Sequence, residues 1–391
     1  MKLKRWGFAA RAVIISALSI IITGASGVGT PTFAQTTAQE SIAKAESLLV
    51  KNDLKVAKKF YKAALKKDKN NVAAYIGLGK VEMARDKWPG AGEYFGRALK
   101  RDPDNFEAHY YRAICYRESG KSKALLFRKI DWDKSKKYFQ WIIDRSKNYR
   151  DVLYQFALLK QYRRKYPEAI ALAQEQIQLR PDLADARAGL YRIYRSYIRN
   201  KKASEVEAWL LQQPWPQARF ALGELWRRNG RLHQADSLFQ ALLLKKPAMR
   251  PQPIFLALAR IHYAQNQPEI GQRYFWLAVD TMEEPGDATL VFEDLKYIIS
   301  DDELKAYRTL KSISEKKAFF HAFWARRDPT PAALVNVRLQ EHYRRLMYAE
   351  KYYEYDGFRT WFNSPDKLGY LNFPPAYKLN YEFNDKGLIY I

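Results

Sequence analysis

The chain has 391 residues, 47% of them apolar and 28% charged. That balance excludes a disordered or fibrous chain and gives enough apolar mass for a large folded core. The formal net charge of +25, from 67 Lys+Arg against 42 Asp+Glu, points to anionic partners, and the single cysteine, Cys115, excludes an internal disulfide and any cysteine-rich metal centre.

The N-terminal stretch MKLKRWGFAAR carries Lys2, Lys4, Arg5 and Arg11 and no acid. An apolar run, Ala12 to Ile22, follows, too short to cross a bilayer comfortably, and then small residues up to Ala34. This is the pattern of an export signal at 1–34, with cleavage expected before Gln35 and a retained N-terminal anchor as the alternative. Cleavage would remove four positive charges and no negative one, leaving +21, so the basic character belongs to the remainder. No cysteine lies near the signal to carry a lipoprotein anchor. The expected location is the bacterial periplasm or cell envelope, with a soluble protein after cleavage.

Residues 38–285 read as a tandem repeat of helix pairs. The clearest unit, 72–105, places an aromatic at Tyr75, then Leu78-Gly79, Ala91, Phe95, Ala98-Leu99 and Pro103. The unit 216–249 repeats this with Leu222-Gly223, Trp226, Gly230, Ala235, Phe239 and Pro247. Looser copies occupy 38–71, 106–149, 150–183, 184–215 and 252–285. An insertion, KSKALLFRKI at 121–130, is expected to lengthen one helix–helix loop. Small residues allow two antiparallel helices to approach closely, and the large ones fill the gap to the next helix. The pattern resembles the tetratricopeptide repeat, with its ~34-residue period. The resemblance implies a right-handed helical solenoid with a concave groove.

Binding residues of such a groove belong on the first helix of each pair. These are Lys80, then Tyr110 and Arg117, Tyr154 and Tyr162, Arg192 and Arg195, Phe220 with Arg227 and Arg228, and Arg260 with Tyr263. Arginine pairs carboxylates bidentately and tyrosine offers rigid contact area. The expected partner is therefore an acidic protein or peptide, with an anionic glycan or lipid surface as the alternative. Nucleic acid is the weaker fit, because export removes the chain from it and no nucleic-acid motif occurs.

A Pro-Gly break near 283–290 ends the repeats, and the grammar changes over 290–391. Ser300…Glu303 and Ser312…Glu315 are capping boxes, each opening a helix. Phe319, Phe320, Phe323 and Trp324 form a buried stripe, and the helix then runs into Arg326-Arg327. Pro329 stops it; Thr330 with Pro331 at the first helical position is expected to start the next helix, running to about Tyr353. Tyr297-Ile298-Ile299, Glu303, Leu310, Phe320, Phe323-Trp324, Arg327-Asp328-Pro329-Thr330-Pro331, Tyr343, Arg345 and Tyr348-Ala349 together resemble the GWxTD domain of bacterial exported proteins. The eponymous Gly-Trp-x-Thr-Asp is absent: the nearest segment, YEFNDKGLIYI, keeps Asp385 and Gly387 but has Tyr381, Glu382 and Asn384 elsewhere in the motif. The resemblance names a domain without naming a reaction. Alternation in YKLNYEF, turn chemistry in NDKG and the run LIYI predict a terminal β-hairpin, so the C-terminal part is expected to be a small helical or α+β domain. An unfinished hairpin would also fit a chain cut short at Ile391.

No catalytic constellation emerges. His109, His233, His262, His321 and His342 lack metal-ligand spacing, and neither a phosphate loop nor a nucleophile elbow occurs. The expectation is a non-catalytic scaffold without metal or cofactor, engaged in envelope assembly. An unrecognised hydrolase centred on Arg327 and Asp328 is the remaining alternative.

Overall fold

In the computed structural model, residues 33–244, 249–354, 374–380 and 382–391 are described. The expected export signal therefore lies almost wholly outside them. The described residues form nineteen α-helices and no strand. No helix among them is long and apolar enough to cross a membrane. The chain divides into two compact units, residues 1–163 with 178–180, and 164–177 with 181–391.

The first unit opens with three antiparallel pairs: α1 (Phe33–Val50) with α2 (Leu54–Lys67), α3 (Val72–Ala84) with α4 (Trp88–Leu99), and α5 (Phe106–Lys121) with α6 (Leu125–Arg145). Helix α7 (Val152–Tyr162) packs on α6. Local chemistry sets the boundaries. Asn71 and Asn105 cap α3 and α5, each accepting from the amide three residues on at 3.0 Å. Each cap is steadied by an aspartate three residues earlier, Asp68 and Asp102. The turns inside the pairs contain a residue in the left-handed region: Asn52, Asp86, Gly230 and Asn266 have φ between 57° and 78°. Close packing depends on the glycine of the Leu-Gly step. A Cβ on Gly79 would lie 2.5 Å from the Phe95 ring. In this unit Ala45, Ala57, Tyr61, Ala64, Ala74, Leu78 and Val81 form one continuous core.

The insertion at 121–130 does not lengthen a loop as expected. Only residues 122–124 leave the helices, and Leu125 onward forms the first turns of α6. The inserted sequence contains no proline or glycine to interrupt a helix, so α6 extends through it.

The second unit holds α8 (Tyr166–Leu179), α9 (Ala184–Asn200), α10 (Ala203–Leu211), and the pairs α11 (Pro216–Arg228) with α12 (Leu232–Leu244) and α13 (Gln252–Ala264) with α14 (Pro268–Asp280). Gly223 sits on Phe239 as Gly79 does on Phe95, with a Cβ distance of 2.6 Å. Then come α15 (Pro285–Leu295), α16 (Asp301–Thr309), α17 (Ile313–Ala325), α18 (Val337–Tyr352) and α19 (Asp385–Tyr390). Helix α15 packs on α9, and α18 packs on α13. Leu256, Ala259, Tyr263 and Phe275 of the last repeat share one core with Phe292, Tyr307, Phe320, Trp324, Leu339 and Tyr343.

Two expectations at the C-terminal end are corrected. The hairpin does not form: Tyr377–Leu379 is a 3₁₀ turn, and Asp385–Tyr390 is a helix. Asn384 caps that helix by accepting from the Gly387 amide at 2.9 Å, so the NDKG chemistry serves a helix start instead of a hairpin turn. One antiparallel bridge, between Glu354 and Phe383, is all the β-pairing among the described residues. Likewise α18 starts at Val337 and not at Thr330-Pro331. Asn336 wins the cap because it does more. It accepts from the Leu339 amide at 2.8 Å and donates through its side chain to the Trp324 carbonyl at 2.9 Å, tying off α17. Both expected capping boxes are present, at Ser300/Glu303 and Ser312/Glu315.

Candidate functional site

The first-helix positions singled out from the sequence fall into two clusters, one in each unit. In the first unit Lys80 on α3 pairs with Glu107 on α5 at 2.8 Å and lies over the Tyr111 ring. Arg150 holds the same carboxylate at 2.9 Å and also donates to the Tyr111 hydroxyl. The two cations keep the Glu107 carboxyl below its usual range despite burial. Tyr110 is fully buried and donates its hydroxyl to Asp151. Arg117 is buried as well. It donates to Glu118 at 2.8 Å and to the Gln155 side chain at 2.7 Å. Burial would raise the Glu118 carboxyl, but Lys121 and Arg117 overcome it and bring it down to about 2. Tyr154 is 1% exposed, so it serves the core of this unit; Tyr162 is half-buried, beneath the Lys121 ammonium at 4.1 Å.

In the second unit the same kind of position is occupied differently. Arg227 is 6% exposed and meets Glu224 at 3.1 Å and Glu350 at 3.0 Å. Arg228 meets Glu350 at 3.2 Å and Glu354 at 2.7 Å. Arg260 forms a bidentate pair with Asp294 at 2.6 and 3.0 Å and reaches Glu224 at 3.5 Å. The Tyr343 hydroxyl adds a bond to Asp294 at 3.1 Å, and the Tyr343 ring stacks on Tyr263 at 4.9 Å. Glu350 is held far below the ordinary carboxylate range, its desolvation outweighed by Arg227, Arg228 and Arg260. Glu350 stands in the last turn of α18 and Glu354 two residues past its end, so the arginines grip the C-terminal end of that helix. Lys296 similarly holds Glu293 at 2.7 Å and Glu382 at 3.0 Å.

Phe220 is buried, against Tyr191 and Phe239. Arg192 and Arg195 are half-buried, and both bias the Glu293 carboxyl toward the charged form. Arg195, Tyr191, Tyr194, Arg228 and Arg260 line a cavity of about 40 Å³, room for water-sized occupants. Sequence reasoning located the arginines but missed Glu350, Glu354, Asp294 and Tyr343, whose proximity only the packing of α15 and α18 on the repeats creates. The i, i+4 spacing in YAEKYYE is a signal for Glu350 and Glu354, and Tyr343 stands among the residues that carry the GWxTD resemblance.

The segment FWARRDPTP forms a corner. Phe323 and Trp324 are buried. Arg327 forms a bidentate pair with Glu303, both bonds 2.8 Å, and covers the Phe323 ring at 3.7 Å. Glu303 is also the acid of the α16 capping box, so the pair ties the end of α17 to the start of α16. Asp328 accepts from the Thr330 amide at 3.0 Å; Pro329, Thr330 and Pro331 make the irregular link before α18. No group of three His, Cys, Asp or Glu side chains suited to a metal occurs among the described residues.

Residues 42–98 and 94–124 match two family models described as tetratricopeptide repeat. Among curated proteins, the chain is 30% identical over 99 residues to the probable UDP-N-acetylglucosamine–peptide N-acetylglucosaminyltransferase SPINDLY of Arabidopsis thaliana. That match covers 25% of this chain and only 11% of the plant protein. Among solved structures, pilF of Pseudomonas aeruginosa is similar with a TM-score of 0.37 and 13% identity, covering 63% of this chain and 92% of that one. A tetratricopeptide repeat protein of Parabacteroides merdae gives 0.35 and 17%, covering 66% and 98%. PilW, a type IV pilus biogenesis factor, gives 0.35 and 16%, covering 65% and 98%. The chain thus contains tetratricopeptide repeats, a fold that supports a role as a protein-interaction scaffold.

Proposed function

We propose that this protein is a non-catalytic, exported scaffold of the cell envelope that holds an acidic partner protein or peptide on the first-helix faces of its repeats. The observation that carries this reading is the clamp of Arg227, Arg228 and Arg260 on Glu350, Glu354 and Asp294. Where this face meets carboxylates within the chain, it grips them in pairs. In the first unit Lys80 and Arg150 share the single carboxylate of Glu107, leaving an excess of positive charge on that face. A segment that brings two glutamates together, as Glu350 and Glu354 are brought together at i and i+4 in sequence, is the partner chemistry that fits such a face, and a helix presents that spacing on one side.

The test is the binding of a labelled helical peptide with i, i+4 glutamates to the full chain, beside the same peptide with glutamines. Tighter binding of the glutamate peptide is expected. It should weaken with salt and fall several-fold, on the order of 1 kcal/mol, in Lys80→Glu but not in Lys80→Arg. Equal binding of both peptides, or no binding of either, would overturn the reading.

A further inference from the structure

The start of α6 carries a surface that the repeat architecture leaves unused. Leu125, Leu126, Phe127 and Ile130 are 79%, 67%, 60% and 44% exposed. The helix does have a buried side: Trp132, Ser135, Phe139 and Ile142, spaced three and four apart, pack against the rest of the unit. Leu126 and Ile130 stand opposite that stripe, where a repeat helix normally meets water, and Phe127 stands at its flank; Leu125 lies in the first turn, ahead of the stripe, and is exposed there. Four large apolar side chains within two turns are more than scattered surface residues.

The charge around them is one-sided. Lys129, Lys134, Lys136 and Lys137 are exposed on the same helix. The two acids nearby are already engaged, Asp131 by Lys123 at 2.6 Å and Asp133 by Arg163 at 2.8 Å. Exposed apolar side chains at a helix start, flanked by lysines whose long stems can lie along an apolar surface while the ammonium stays in water, match the requirements of a bilayer interface. The negative complement to these lysines is the phosphate of an anionic lipid headgroup.

We propose that the first two turns of α6 form an interfacial anchor that inserts Leu126, Phe127 and Ile130 into the surface of a bilayer containing anionic lipid. It is independent of the acidic-partner reading, because it uses a different face and a different ligand.

The experiment uses the full chain with Ile130→Cys, labelled with a polarity-sensitive fluorophore; the native Cys115 is buried and stays unlabelled. Vesicles of phosphatidylcholine with phosphatidylglycerol should shift the emission to the blue, and vesicles of phosphatidylcholine alone should do so far less. Adding Leu126→Glu and Phe127→Glu, both on the solvent side, should weaken the response at least about tenfold while circular dichroism stays unchanged. An unshifted emission on anionic vesicles would overturn the proposal. So would a blue shift already present without lipid that depends on protein concentration, which would assign the patch to a second copy of the chain.

Discussion

The two units solve one problem, how to bury arginines on the inner helices of a repeat, in opposite ways. In the first unit the buried Arg117 and the half-buried Lys80 find their partners on their own or the adjacent repeat: Arg117 with Glu118 and Gln155, and Lys80 with Glu107. In the second unit one carboxylate, Glu224, comes from the repeat itself, and the others come from beyond the repeats: Arg227 and Arg228 meet Glu350 and Glu354, and Arg260 meets Asp294. The first arrangement completes itself locally. The second is complete only when α15 and α18 have closed onto α11 and α13, so the C-terminal helices supply counter-charge as well as core.

That contrast can be tested from its strongest point downward. Arg260→Met leaves Asp294 buried without its arginine, while Glu224 keeps Arg227, and should cost about 3–5 kcal/mol, the usual consequence of breaking a buried pair. Hydrogen exchange should show protection lost in 181–391 and retained in 33–163; equal loss in both units would break the comparison.

The buried His342 gives the second effect. Its Nε2–H donates to the Asp294 carbonyl at 3.0 Å, and burial pulls its pKa down to about 4. The unfolded chain binds a proton near pH 6.5 while the folded chain resists until about pH 4. Stability from this group is therefore full above pH 6.5 and declines between those values, by about 3 kcal/mol in total. Denaturant titrations across this window should show a shallower slope for His342→Gln than for the native chain. Glu350 and Glu382 act at lower pH: their depressed pKa values mean that their contribution falls away as acid titrates them below the ordinary carboxylate range.

Gly79→Ala and Gly223→Ala place the same methyl against Phe95 and Phe239. Each should cost about 1–3 kcal/mol by overpacking, with similar values in the two units if the helix pairs are equivalent. A large difference in melting temperature between them would show that one unit yields more readily. The smallest effect is expected at the corner. Arg327→Lys keeps the charge but loses the fork on Glu303, for about 1 kcal/mol in thermal unfolding.

How much of this was legible in the sequence follows the range of each interaction. The Leu-Gly steps, the serine capping boxes and the seven-fold alternation of small and large residues all act within a helix pair. The repeat pattern translates directly into α1–α7 and α11–α14, and the capping boxes into the starts of α16 and α17. Asn384 was misread because Asn-Asp-Lys-Gly satisfies a hairpin turn and a helix cap with the same atoms. What decides between them is the approach of Gly387 to Tyr353, where a Cβ would come within 2.7 Å. Thr330 and Asn336 were competing caps, and Gln272 and Trp324, distant in sequence, favoured Asn336.

The sequence by itself therefore determined the repeated helix pairs, which helices carry the basic residues and the two capped helices after the repeats, because periodic burial and caps are short-range effects. Only the tertiary structure decided what those basic residues hold and where the inserted apolar residues point. Ion pairing between Arg228 and Glu354 depends on more than a hundred residues of intervening chain folding back. No local pattern records which of many glutamates will arrive.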